Sequence, residues 1–193
     1  MPWQKQFDVD ETLDRAMNAF WARGYEATSV QDLVTCTGVN RGSLYATYGD
    51  KRALFLAALR RYGEIGRRAL LTDLEARYRP LEAIHRLFMF FAAQGEDGRP
   101  GRGCFMTNTA LELAAHDPET REIVNEGMIE LEAFFTRMIR KGQKQGEIAP
   151  TVPPHDTARG LLASLLGLIV LVRSRPERAV LQAVVREAMR RLS

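Results

Sequence analysis

Thr37-Gly38-Val39-Asn40-Arg41-Gly42-Ser43-Leu44-Tyr45-Ala46-Thr47-Tyr48 decides how this chain is read. Gly38 breaks a short helix that Thr28 or Ser29 caps and that carries Val30, Leu33 and Val34. Asn40 then caps another short helix through about Tyr48. Two short helices around a glycine turn, with a basic residue opening the second, make a helix-turn-helix pattern. In such a pattern the second helix lies in the major groove of DNA. Arg41, Tyr45 and Tyr48 share one stripe of it, while Leu44 falls off that stripe and should point into a core. Gly42, Ser43 and Ala46 are small and allow a close approach to base edges. Arg41 suits guanine N7 and O6, or a phosphate. The two tyrosines read equally well as ordinary packing.

The flanking sequence is helical throughout. Asp8 caps a first helix over 8–23, whose Leu13, Ala16, Met17, Phe20 and Trp21 form one apolar stripe, and Gly24 ends it. Asp50 caps a long fourth helix toward 78, and Pro80 opens a fifth rich in Leu87, Phe88, Phe90 and Phe91. The glycines of 94–103 predict a loop. Further helices are expected over 104–116, 118–141 and 155–173, with a last one that has Pro176 in its first turn. No β alternation and no repeat interrupts this. The expected fold is all-α with about nine helices: a three-helix DNA-binding head over 1–49 and an effector-binding, dimerising body over 50–193.

Composition narrows the class. The chain has 193 residues, 46% of them hydrophobic, enough to bury a sizeable core. Residues 1–6 are too short for a signal peptide, and the longest apolar run, 161–172, is too short for a membrane span. Two cysteines, Cys36 and Cys104, make no disulfide framework, so a reducing, cytoplasmic setting is expected. The net charge of +3 is small, but its distribution is uneven. Residues 1–37 hold Lys5, Arg15 and Arg23 against six acids, whereas 38–61 hold Arg41, Lys51, Arg52, Arg60 and Arg61 against Asp50 alone. Such a patch is what phosphate contact requires, and equally what a solvated face looks like.

The stretch Phe20, Gly24, Tyr25, Thr28, Ser29, Val30, Leu33, Gly38, Val39, then Gly42-Ser43-Leu44-Tyr45, Tyr48 and Lys51, resembles the TetR family of repressors. The resemblance covers about 8–62. It implies an all-helical homodimer that binds a palindromic operator in double-stranded DNA and answers to a small-molecule effector. It also implies that Thr28, Tyr48 and Lys51 contact phosphates while Arg41, Gly42, Ser43, Tyr45 and Ala46 face bases. Two departures stand out: Thr47 replaces a common histidine, and the basic arm ahead of the first helix is reduced to Lys5. The body, from Gly103-Cys104-Phe105 to His116-Asp117-Pro118, is similar to a narrower group with Gly-Cys at the start of the sixth helix, some of which respond to reactive electrophiles, oxidants, unsaturated acids or copper.

Cys104 also has a physical argument. It opens a helix, where the dipole favours a thiolate, and Arg99 and Arg102 precede it. It reads equally as a small buried hydrophobe, and Cys36 reads as structural. The effector pocket is expected from Phe88, Cys104, Phe105, Asn108, Met128 and Phe135. No cofactor and no metal is expected, although Cys104, Met106 and His116 form a conceivable copper(I) set. Cys104 with His116 could instead be a nucleophile and base, but no third orienting group is evident and the helix-turn-helix would be unexplained, so no enzyme is expected; a non-regulatory DNA-binding or scaffold protein is a further alternative. The eighth and ninth helices are the dimer candidates. The eighth is apolar nearly all round, and Gly160, Ala163, Ser164 and Gly167 permit close approach.

Overall fold

A computed structural model describes residues 7–95 and 97–193. Nine helices make up these residues: α1 (Val9–Arg23), α2 (Val30–Thr37), α3 (Arg41–Tyr48), α4 (51–77), α5 (Pro80–Ala92), α6 (Phe105–Glu112), α7 (Pro118–Lys144), α8 (Pro154–Ser174) and α9 (Arg178–Arg190). There is no strand among them.

Local chemistry sets the boundaries in the head. The Asp8 carboxylate accepts from the Glu11 N–H at 3.0 Å. Ser29, not Thr28, caps α2. Its hydroxyl accepts from the Asp32 N–H and the Asp32 carboxylate accepts from the Ser29 N–H, a reciprocal box. Gly38 ends α2 at φ 72°, a left-handed turn that a side chain would strain. Asn40 caps α3 through the Ser43 N–H, and Asp50 caps α4 through the Ala53 N–H.

α1, α2 and α3 do not close a core alone. They pack around the first half of α4, where Leu54, Phe55, Ala58 and Leu59 lie buried against Ala16, Phe20, Leu33 and Leu44. α4 then continues into the body and widens midway into a π turn (Tyr62–Arg68). In the body, α7 lies along α8, α9 covers α5 and α8, and α5 sits against α7.

Several expected boundaries move. The sixth helix stops at Glu112, and 113–116 form a turn in which His116 is exposed. α7 reaches Lys144, and α9 begins after Pro176, not at it. The apolar run of 161–172 belongs to a helix of 21 residues, long and apolar enough by composition to cross a membrane. Its Leu161, Leu165, Leu168, Ile169 and Val172 are buried in this core.

Candidate DNA-reading surface and effector cavity

α3 presents an open face. Arg41, Gly42 and Ala46 are exposed, Ser43 and Tyr45 are half-buried, and Leu44 is buried, holding the helix down. The Arg41 guanidinium lies 5.4 Å from the centre of the Tyr45 ring, and the Lys51 ammonium 4.3 Å from that of Tyr25. Neither cation enters an ion pair among the described residues. The other bases of the 38–61 patch are engaged. Arg52 donates to both oxygens of Asp117 at 2.8 and 3.0 Å and to Glu119 at 3.1 Å; Arg60 also donates to Glu119. Arg61 grips Asp14 and Asp10 on α1. The patch is therefore largely a set of joints, and Arg41 and Lys51 are what it leaves for phosphate or base.

Behind the head lies a cavity of about 380 Å³, a size that suits a small organic molecule. The π turn of α4, the end of α5, the start of α6, the middle of α7 and the middle of α8 enclose it, with Met17 and Trp21 of α1 on the side of the head. Leu70, Leu87, Phe91, Met106, Val124 and Met128 are among its apolar lining, and the half-exposed Ile65 and Phe90 lie at its rim. Cys104 lines it at 9% exposure, and the Tyr62 hydroxyl donates to Cys104 Sγ at 3.4 Å. Burial, then the neighbouring Cys104, pushes the Tyr62 hydroxyl well above the usual phenol range, so it stays a donor at neutral pH.

Head and cavity are joined by α6. One end of it carries Cys104 and Met106 into the cavity wall. At its other end the Glu112 carboxylate accepts from the N–H groups of Tyr25 and Glu26, at 3.1 and 2.9 Å, in the turn between α1 and α2. Phe55 packs edge-on against Phe20, Tyr25 and Phe105, carrying the same contact through the core. Arg52 and Asp117 form a second joint between α4 and α7. Asp117 also caps α7 through Thr120, and Arg52, then that backbone N–H, hold its carboxyl well below the usual range.

A head that offers α3 outward, on a helical body with an internal cavity, has known counterparts. Residues 80–189 match the tetracyclin repressor-like C-terminal domain, and 13–58 match the bacterial regulatory proteins of the tetR family. The chain belongs to the TetR family. It is similar to YezE, an HTH-type transcriptional regulator of Bacillus subtilis, with 38% identity over 144 residues, 75% of this chain and 74% of YezE. It is similar to ComR, an HTH-type transcriptional repressor of Escherichia coli, with 31% identity over 172 residues, 88% of this chain and 81% of ComR. Among solved structures it resembles a cysteine mutant of the TetR family regulator CifR, complexed with 26 bp double-strand operator DNA. That likeness has a TM-score of 0.81 at 29% identity and covers 99% of this chain and 100% of that one. The protein is a DNA-binding transcriptional regulator of the TetR type.

In this TetR regulator the residues expected to touch DNA divide into two groups. Arg41, Gly42, Ser43, Tyr45, Ala46 and Lys51 come together on or beside the open face of α3. Thr28 does not join them. It is fully buried, and its hydroxyl donates to the Gly24 carbonyl at 2.6 Å, closing the turn after α1. Tyr48 is half-buried, and its single O–H donates to the Val9 carbonyl at 2.7 Å, which leaves no donor for a phosphate.

The expected pocket needs a similar correction. Cys104 and Met128 line the cavity; Phe88, Phe105, Asn108 and Phe135 do not. The three phenylalanines are at most 1% exposed and pack into the core. Asn108 donates to the Arg102 carbonyl, outside the cavity. Arg102 stacks on Trp21 and bonds Asn18, and Arg99 is exposed. Cys104 and His116 sit beyond opposite ends of α6, whose eight residues span about 12 Å, so they form neither a nucleophile–base pair nor a ligand pair. Reasoning from sequence missed Tyr62, Arg67 and Glu112, the polar groups of the cavity and of its link to the head.

On α8, Gly160 is closed off by its own chain: a Cβ there would come within 2.5 Å of Arg191 Nη1. Ala163, Gly167 and Val170 are exposed on one stripe, and nothing lies within 4 Å of a Cβ placed on Gly167.

Proposed function

We propose that the chain is a cytoplasmic, dimeric repressor that holds a palindromic operator through two α3 helices and releases it when a small molecule fills the cavity. The observation that carries this reading is α6, which is cavity wall at Cys104 and Met106 and head clamp at Glu112. A ligand that repacks the wall acts on the head through that clamp, provided it binds the releasing arrangement more tightly than the DNA-bound one. A tenfold loss of operator affinity needs about 1.4 kcal/mol of such coupling. Residues 1–49 then serve DNA reading, and 50–193 serve effector binding and dimerisation. Dimerisation uses α8 and α9, with the open stripe of Ala163, Gly167 and Val170 as the seat for the second copy.

Cys104 offers a covalent entry to the same device. It is the one thiol facing the cavity, with Tyr62 as its hydrogen-bond donor. A bulky adduct there would displace the start of α6. The test is operator binding, followed by fluorescence anisotropy, before and after treatment with a thiol alkylator. Release is expected in the wild type and in Cys36→Ser, and its loss in Cys104→Ser. Undiminished release in Cys104→Ser removes the cysteine from the mechanism; retention of the operator with every cavity ligand tried removes the mechanism.

A further inference from the structure

The cavity is apolar except for a few groups, Tyr62, Arg67, Gln94, Cys104 and Thr107 among them. Gln94 accepts from the Gly103 N–H at 2.9 Å, and the Tyr62 hydroxyl is given to Cys104. Arg67, on the π turn, donates from Nε and Nη2 to one oxygen of Glu130, at 2.9 and 2.6 Å. Its Nη1 is buried and has no partner, the one such side-chain nitrogen or oxygen among the described residues. Only 11% of the Arg67 side chain is exposed. Nη1 lies against Gly127, where a Cβ would come within 2.5 Å of it and within 2.8 Å of Met106 Cε; Gly127 and Met106 both line the cavity. The missing side chain at Gly127 is what admits the guanidinium to this wall.

Charge points the same way. Arg68 binds the other oxygen of Glu130 at 2.8 Å, so two guanidiniums share one carboxylate. Burial pushes Glu130 up, but its bonds from Arg68 and Arg67 outweigh this and keep it below the usual carboxylate range, hence ionised. Glu64 and Glu126 act on Arg68 from the solvent side. Of the groups on the cavity side, Arg67 ends in an N–H group with no acceptor, and the exposed Glu64 and Glu126 offer it no hydrogen bond among the described residues. A buried charged donor without an acceptor is costly, and an acceptor supplied by a ligand recovers that cost.

We infer that the cavity takes an apolar molecule carrying a single anionic acceptor group, a carboxylate in the simplest case, and that Arg67 Nη1 is the donor that reads it. The inference rests on the reading of the cavity as the effector site. The apolar part lies against Leu70, Leu87, Phe91, Val124 and Leu131. The charge-assisted bond from Nη1 fixes which end of the ligand faces α7.

The experiment is titration calorimetry of the full-length protein with decanoate, decanol and decylammonium, three probes that share a chain and differ in the head. One decanoate per chain is expected, bound at least tenfold tighter than decanol, with decylammonium weakest. Arg67→Met should erase the preference for decanoate and change decanol affinity less than threefold. Glu130 keeps Arg68 in that variant, so no carboxylate is stranded. The wild-type comparison needs no variant, so a misfolded Arg67→Met leaves the test standing. Equal affinity for decanoate and decanol, tighter binding of decylammonium, or a decanoate preference intact in folded Arg67→Met would overturn the inference. Operator release is read separately. Decanoate that binds through Arg67 but leaves the operator occupied supports the inference and contradicts the proposed switch. Release by decanol at equal occupancy, with no preference for decanoate, does the reverse.

Discussion

Asp32 shows how much a single residue can hold at the entrance to the DNA-reading unit. It closes the capping box with Ser29 and pairs with Arg23 at the end of α1. The Ser29 hydroxyl, its backbone N–H and then Arg23 lower the Asp32 carboxyl to about 2. The folded value therefore lies below the unfolded one of about 3.9. The stability it contributes is present above about pH 4 and is lost as the pH falls through about 2. Thermal unfolding of wild type and Asp32→Asn should differ at pH 6 and converge between about pH 4 and pH 2; a difference that persists undiminished to pH 2 would contradict the role given to this cap. At this scale the caps were legible in the sequence, because Asp8, Ser29, Asn40 and Asp50 act on N–H groups only three residues away. The cavity residues were less so. Phe88, Phe105 and Phe135 have the composition of a pocket, but whether an aromatic ring faces a void or a neighbour depends on helix rotation. Arg67 reads as a surface base, and the room made by Gly63 and by Gly127, 60 positions on, lets it inside.

Between elements, the contacts that matter are those that cross from body to head. Glu112→Ala would leave the amides of Tyr25 and Glu26 without their acceptor. We expect a loss of about 1–3 kcal/mol in stability, since the Tyr25 amide is partly buried, and a weaker response of the operator complex to cavity ligands. Thermal unfolding reads the first and anisotropy with and without ligand the second. A variant that is destabilised but switches as the wild type does would confine Glu112 to a structural part. Gly167→Leu tests the proposed dimer face. Within one chain the added side chain meets open space, so it should leave the fold intact while overpacking a second copy. Sedimentation should show weaker association; unchanged association would move the interface elsewhere. The sequence gives the order of helices correctly because capping and periodicity are local signals. It does not reveal the π turn of α4 or the early end of α6 at Glu112. Both belong to contacts with α7 and with the head, far away in the chain.

For the whole molecule, head and body share one continuous core, with Phe55 packed between Phe20 on one side and Phe105 on the other. A change at the cavity therefore need not travel through a flexible linker. The basic patch of 38–61 was visible in the sequence, but its division of labour was not. Arg52, Arg60 and Arg61 find their acids on α7 and α1, which no local pattern announces, and Arg41 and Lys51 enter no ion pair among the described residues. We propose that these two, on and beside α3, do different work: Lys51 holds phosphate and Arg41 reads bases. The measurement that tests it most directly is anisotropy titration of wild type, Lys51→Ala and Arg41→Ala on an operator duplex and on a scrambled duplex, over a range of salt. Lys51→Ala should weaken both duplexes alike and reduce the slope of log affinity against log salt by about 2 in a dimer. Arg41→Ala should weaken the operator by about 1–3 kcal/mol per half-site and the scrambled duplex far less. Wild-type binding that does not distinguish the two duplexes, or two variants that behave alike on both, would contradict the account.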